Sequence, residues 1–447
     1  MNERLALLFR RTIYNMRGGF LVRPLLIALA LGCAGAVLSW AEEETPAISA
    51  WVPSILFPSR ADPQVAQVIL AGIAGSIMTV VSIVFAILLM TLTLASMQFS
   101  PRIILSFTRD RVTQWTLGIF LGTFLYCVAA LPAARSLPTP FSPVATVLGA
   151  VVLALACVCW LLYFIHHISR AISVNQIVDK IASETETVID ELMPSPRRTS
   201  SMPKHGPPPE LIFETTIPSA QSGYIRFIDL ARLLEIAKTY RVNVHVLRRV
   251  GHFVPAGVPV MSVSKAERLP AGAGNALLGA FDFGPSRTLQ QDVEFGVLQI
   301  VDIALRALSP AVNDPSTAIS CVDQLSRILI RFVAREPPES LLFDLPGVPR
   351  VLITWIDFDR LADAAFEQIR LYSQGDVAVS LRMLRALGDI AVTTGDSALR
   401  GRLLQRARRI VAGCATRLGE AELVEIRARL QTLEAVASPE AARLTEA

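Results

Sequence analysis

Charge is missing from the longest stretch of this chain: between Asp62 and Arg102 there is no Asp, Glu, Lys, Arg or His. Metal-binding side chains are scarce as well, with six cysteines and five histidines spread through 447 residues. Cys33, Cys127, Cys157 and Cys159 fall in apolar runs, Cys321 and Cys414 in later amphipathic stretches, and no set has zinc-ligand spacing. His166 and His167 adjoin, but neighbours on a helix face about 100° apart and make poor co-ligands. They read as an amphipathic pair at headgroup level. Neither a metal nor a cofactor is expected. No Lys/Arg block with interleaved aromatics occurs, and the net charge of +4 is small for this length, which argues against nucleic acid as partner. No nucleophile with a base and no phosphate loop can be assembled, and Asp282-Phe283-Gly284 lacks the other kinase motifs, so no enzyme is expected. No repeat with a period of about 20 to 50 residues is evident.

What the chain does have is apolar length. A hydrophobic fraction of 52% and a mean hydropathy of +0.48 point to a membrane protein with a large polar remainder. Segments 24–40, 65–90, 113–133 and 144–165 are each near or above the length of a tilted span and carry no charge. Arg4, Arg10, Arg11, Arg17 and Arg23 precede the first, and Arg102, Arg109 and Arg111 separate the second and third; Glu42, Glu43, Glu44 and Asp62 face only Arg60 in the intervening loop. Because positive loops stay inside, the N-terminus, the loop 101–111 and everything after His166 are expected in the cytoplasm. Trp40, Trp51, Trp115 and Trp160 sit near the predicted boundaries, as interfacial aromatics do. The basic leader, the apolar run and Ser39-Trp40-Ala41 also describe a cleavable signal peptide, although the leader is long for one.

Beyond the four-helix membrane domain, 1–170, an apolar stripe of Val174, Ile177, Ile181, Val188 and Leu192 continues the fourth span as a helix over 171–193. The Pro/Ser-rich stretch 194–209 reads as a linker. Residues 210–268 are rich in β-branched side chains punctuated by Gly223, Gly251 and Gly257, which predicts four or five short strands with a small helix at 233–240. The run from Gly251 to Val260 is similar to the turn and strand of a barrel-sandwich hybrid, the shape of biotinyl and lipoyl carriers, but no Met-Lys hairpin for a prosthetic group follows. The likeness implies a fold and argues against swinging-arm chemistry.

The most distinctive later stretch is RTLQQDVEFGVLQIVDIALRALSPAVNDPSTAISCVDQLSRILIRF. Val293, Val297, Ile300, Ala304 and Leu308 form one stripe and Ala318, Val322, Leu325, Leu329 and Phe332 another, so two amphipathic helices flank a corner at 309–314. Asp314-Pro315 is an N-cap with proline at the first helical position. The corner has two readings. It is a binding site in which Asn313, Asp314, Ser316 and Thr317 gather at a helix start with Asp292 and Asp302 on the preceding helix, or it is only a capped hairpin whose cap already uses the amides an anion would need. Asp323, Arg327 and Arg331, spaced i, i+4, i+8, read as a solvated or intersubunit ladder. Stripes such as Leu361, Ala364, Ala365 and Ile369 and then Val379, Met383, Leu387 and Ile390 indicate that 269–437 closes as a helical bundle, with 438–447 a frayed tail. TLTLASMQFSPR, DRVTQWTLGIFLGTFLYC and above all RTLQQDVEFGVLQIVDIALRALSPAVNDPSTA resemble the bacterial membrane-protein family catalogued as domain of unknown function 2254. The resemblance implies a multi-pass inner-membrane protein and brings no catalytic residue with it.

One feature of the second span points to function. Steps of four and three from Gly75 give Thr79, Ser82, Ala86, Leu89, Thr93, Ser96 and Ser100, small or polar except at Leu89. Small residues let helices approach in lipid, so the seam either packs inside the four-helix unit or lines a pore between subunits. The uncharged run also exceeds what the bilayer needs, so 91–101 is expected to project into the cytoplasm and couple membrane to cytosol. The expected fold is thus a membrane α-helical domain plus a cytoplasmic α+β region. The expected function is an oligomeric channel or transporter-like pore gated by that region; the alternative is a non-transporting scaffold or sensor binding a partner or ligand. Partners would be the lipid bilayer, other copies of the chain, and an unknown ion or cytoplasmic ligand.

Overall fold

The computed structural model describes residues 22–45, 48, 62–98, 110–136, 140–171, 173–194, 212–270, 272–344 and 347–437, without the side chains of 94–98, 171 and 436–437. The basic leader, Trp51, the linker beyond 194 and the tail 438–447 lie outside these residues. The chain divides into two compact units, Met1–Ser173 and Val174–Ala447.

In the first unit, helices α1 (Val22–Glu44), α2 (Pro63–Gln98), α3 (Arg111–Ala130) and α4 (Val144–Ala171) are all long and apolar enough to cross a membrane. Helix α3 is central and packs on the other three. Half of its apolar window is buried, against 17–28% for the others. Its partner at closest range is α1, because glycines on each helix sit against larger residues of the other. A Cβ at Gly35 would lie 2.6 Å from the Tyr126 carbonyl oxygen, and Gly118 and Gly122, a GxxxG pair in α3, abut Ile27 and Leu31. Small residues allow this approach where lipid supplies no hydrophobic drive between helices.

Polar groups fasten the ends of this unit. Glu42 is 1% exposed, and its carboxylate accepts from the N–H of Ala145 at 2.8 Å, the N–H of Thr146 at 3.0 Å and the Thr146 hydroxyl at 2.9 Å. It therefore caps α4 from 103 residues away, which satisfies amides that a helix start leaves open. The spans read from sequence contain no charge, whereas α1 extends to Glu44 and buries one. At the other end Asp110 caps α3 through Thr113 and lies 3.1 Å from His167 Nε2. His167, read as half of an amphipathic pair at headgroup level, thus lies beside a carboxylate.

The second unit begins with α5 (Val174–Leu192). The fourth span does not run on into it: α4 stops at Ala171. The stripe on α5 is buried at Ile177, Ile181 and Val188 and half-buried at Val174 and Leu192, with Thr185 buried beside it. Strands β1 (Thr215–Pro218), β2 (Gly223–Ile228), β3 (Val244–Val246), β4 (Phe253–Val254) and β5 (Pro259–Val263) come next, with α6 (Leu230–Tyr240) between β2 and β3. After them are α7 (Ala273–Leu278), β6 (Phe281–Gly284), α8 (Val293–Ala307), α9 (Pro315–Val333), β7 (Leu341–Asp344) and β8 (Val348–Ile353). Four helices end the described chain: α10 (Phe358–Tyr372), α11 (Val377–Thr393), α12 (Ser397–Cys414) and α13 (Glu420–Ala437).

One sheet has the order β1-β5-β3-β8-β7, antiparallel except where β3 runs parallel to β8; the other is β4-β2-β6, antiparallel throughout. The β region therefore recruits β6, β7 and β8 from beyond residue 268. Ile225, Leu233, Val244, Val260, Leu277 and Val351 join both sheets and α6 in one core. Around it, α8 packs on α5, α9 and α10, and α9 on α5 and α11. Arg327 reaches Asp179 and Glu186 of α5, Arg331 reaches Asp190 of α5, and Asp323 pairs with Arg382 of α11. The expected ladder along α9 is instead a set of ties to its neighbours, since α5 and α11 bring opposite charges within reach of its side chains.

Candidate functional site

Three places bear on function: the seam on α2, the corner between α8 and α9, and a junction that joins β2, the turn before β4, α8 and α10. On α2, Ala66, Leu70, Ala74, Ile77, Val81 and Val84 are buried. Gly75, Thr79, Ser82, Ala86 and Thr93 are exposed, and nothing lies within 4 Å of a Cβ built at Gly75. The Ser96 side chain and Ser100 lie outside the described residues. From Gly75 to Thr93 the seam is therefore exposed rather than packed among α1, α3 and α4. Leu70, Ile77, Val81 and Val84 meet α3 and α4 instead, and the close approach is made by the α1 and α3 glycines. On the outward face Thr79, Ser82 and Thr93 donate to the carbonyls of Gly75, Met78 and Leu89 at 3.1, 3.1 and 2.9 Å, so their hydroxyl protons stay within the helix.

At the corner, Asp314 accepts from the Thr317 N–H at 3.1 Å and the Thr317 hydroxyl at 2.6 Å, and these bonds, the hydroxyl's first, hold its carboxyl below the usual range. Asn313 adopts the left-handed conformation, φ 47°, at the turn, a role asparagine tolerates. Ser316 is exposed. The structure does not bring Asp292 here: it caps the opposite end of α8, roughly 22 Å away by helical rise. Asp302 lies about one and a half turns before the end of α8. The capped hairpin is built, and the six-residue cluster is not.

The same stretch that announced the corner instead builds the junction. Arg287 forks onto Asp292 at 2.7 and 2.8 Å and lies over the Phe295 ring. Asp292 caps α8 through the Phe295 N–H. Gln291 accepts from the Ile228 N–H at 2.9 Å and donates to its carbonyl at 3.3 Å, clamping the end of β2. Glu294 accepts from Arg249 at 3.0 Å, Arg287 at 3.1 Å and Arg360 at 3.1 Å. Gly296 lets α8 meet Thr185 of α5, whose hydroxyl and methyl occupy the place of a Cβ. Gly251, with φ 87°, presses its backbone against the Asp292 carboxylate, so no side chain fits. Burial would raise the Glu294 carboxyl, but its arginines outweigh this and hold it below the usual range; for Arg287 burial is likewise outweighed, first by Asp292.

Chemically this is a balanced network. Arg249 and Arg287 are 12% and 14% exposed, Glu294 and Asp292 11% and 3%, which makes two shielded cations against two shielded anions. The cleft beside it, lined by Leu192, Arg249, Glu294, Ile353 and Trp355 among others, encloses about 40 Å³, room for a few waters. No group of three metal-ligating side chains occurs among the described residues. Arg249 and Arg360 went unread in the sequence, since they lie 45 and 66 residues from Glu294 and outside any local pattern.

The chain has relatives along most of its length. The family model described as "Predicted membrane protein (DUF2254)" matches residues 17–389. Uncharacterised proteins of Mycobacterium bovis and Mycobacterium tuberculosis are 31% identical over 395 residues, covering 86% of this chain and 74% of theirs. No solved structure matches.

Proposed function

Since the chain belongs to the predicted membrane-protein family DUF2254, we propose that it is one subunit of a homo-oligomeric channel or transporter-like pore, with α2 of each copy lining the shared axis and the second unit gating it. The observation that carries this is the outward face of α2. Its buried stripe, Ala66 to Val84, meets α3 and α4, while Gly75, Thr79, Ser82, Ala86 and Thr93 are exposed as a small and hydroxyl-bearing line beside exposed Met78, Ile83, Phe85 and Leu89. Small residues favour helix contact over lipid contact, and hydroxyl or narrow apolar linings are what ion and solute paths use. In this reading the membrane is the bacterial inner membrane, both termini are cytoplasmic, and no catalytic chemistry is required. The basic loop 101–111 and the acidic Glu42 to Glu44 support that orientation. The barrel-sandwich-like form of 210–268 and the helical bundle of 269–437 belong to the same reading, supported by one turn feeding β4 and β5 into different sheets and by the packing of α8 to α13.

The test is ion flux in liposomes, read beside subunit count. Ser82→Leu should leave the chain inserted, because Leu is favourable in a membrane helix, and should reduce flux by narrowing and drying the path. Wild-type liposomes with confirmed oligomers and no flux to common ions would refute the pore and leave the scaffold or sensor. A reporter after Ala447 that reads as external would refute the orientation.

A further inference from the structure

Arg249 Nε lies 3.1 Å from Nε2 of His252. A guanidinium N–H only donates, so this imidazole nitrogen is the unprotonated one and the ring proton sits on Nδ1. This arrangement fits a neutral histidine. Around the ring stand Arg248 and Arg249 of its own turn, Arg360 of α10 and Glu294 of α8. The ring faces three cations and one anion, and that anion is already shared among three arginines. Burial first, then Arg249 and Arg360, hold His252 below the usual imidazole range.

We infer that this junction is a proton-operated latch: a proton taken up at His252 Nε2 replaces the acceptor of Arg249 with a second donor and a further positive charge, repels Arg249 from its place beside the ring and on Glu294, and releases the turn 248–252 from α8 and α10. The turn matters because it is bonded into the three-stranded sheet. The Ile225 N–H donates to the His252 carbonyl at 3.0 Å, and the Gly251 N–H donates to the Ile225 carbonyl at 2.8 Å. Gly251 also rests on Asp292, the cap of α8. One ring therefore sits where strand β2, helix α8 and helix α10 are tied together. Glu294 stays ionised in mild acid, so the change belongs to the histidine. Its depressed pKa sets the sign. The closed form is favoured above about pH 6.5, the value of a free imidazole, and loses that advantage as pH falls below it. The latch does not depend on whether the membrane unit conducts.

The experiment is hydrogen exchange of the full chain in detergent at pH 7.5 and 5.5, read on peptides covering 248–254 and 292–296 and corrected for the intrinsic pH dependence of exchange. If His252 stays neutral until the junction opens, opening rises up to about tenfold at pH 5.5. His252→Gln supplies an amide oxygen for Arg249 that does not titrate, and should abolish the rise. An equal rise in both proteins, or none in wild type, overturns the latch. Should the variant fail to fold, deuterium exchange at the imidazole C2 of wild type reads each histidine separately. His252 must then titrate below about 6.5, and a value at or above it overturns the inference.

Discussion

Replacing Glu294 with glutamine removes a charge while keeping shape, and its three arginine partners respond differently. Arg287 keeps its fork on Asp292. Arg360 is 57% exposed, so its share is at most about 1 kcal/mol. Arg249 loses its only carboxylate partner among the described residues while 12% exposed, and leaving a buried charge uncompensated costs about 3–5 kcal/mol. The lower figure applies, since a guanidinium at the rim of a cleft with room for water retains some solvent. For a unit of this size each kcal/mol moves the melting point by roughly 2–4 °C, so Glu294→Gln should melt about 6–12 °C below wild type. Circular dichroism of the purified chain measures it. The cause is isolated by adding Arg249→Met, which removes the stranded cation and should recover at least half of the loss. A single variant that melts with wild type, or a double variant no better than the single, would refute the assignment of Glu294 as the counter-charge of Arg249.

Two further substitutions separate packing from propensity. Gly296→Ala drives a Cβ into Thr185 and should cost about 1–3 kcal/mol, whereas Gly388→Ala in α11 meets nothing within 4 Å and should stabilise by up to about 1 kcal/mol; melting curves that move the same way would count against the α5 to α8 contact. Asp314→Ala should cost about 0.5–2 kcal/mol and Asp314→Ser should restore most of it; a serine variant that regains stability but not assembly or flux would give the corner a role beyond capping.

Elements with short-range causes were legible in the sequence. Four uncharged runs became the four membrane-length helices because length and hydropathy are local sums. Asp314-Pro315 became the start of α9 because a cap acts within three residues, and the stripe from Val174 to Leu192 became the buried face of α5. Packing settled which face of α2 turns outward, because Gly75 and Ala74 carry no label saying whether bulk or smallness will meet the neighbouring helix. Long-range folding likewise made Glu42 the cap of a helix 103 residues away. It also completed with β8 a sheet begun before residue 268, since β3 finds its parallel partner only through a long return of chain. The junction shows the division most plainly. Arg287, Gln291, Asp292, Glu294 and Gly296 were visible as one unusual run, but their partners Ile228, Arg249, Arg360 and Thr185 come from β2, a turn, α10 and α5. A charge or a glycine in a sequence states a need, and only the folded chain supplies the group that answers it.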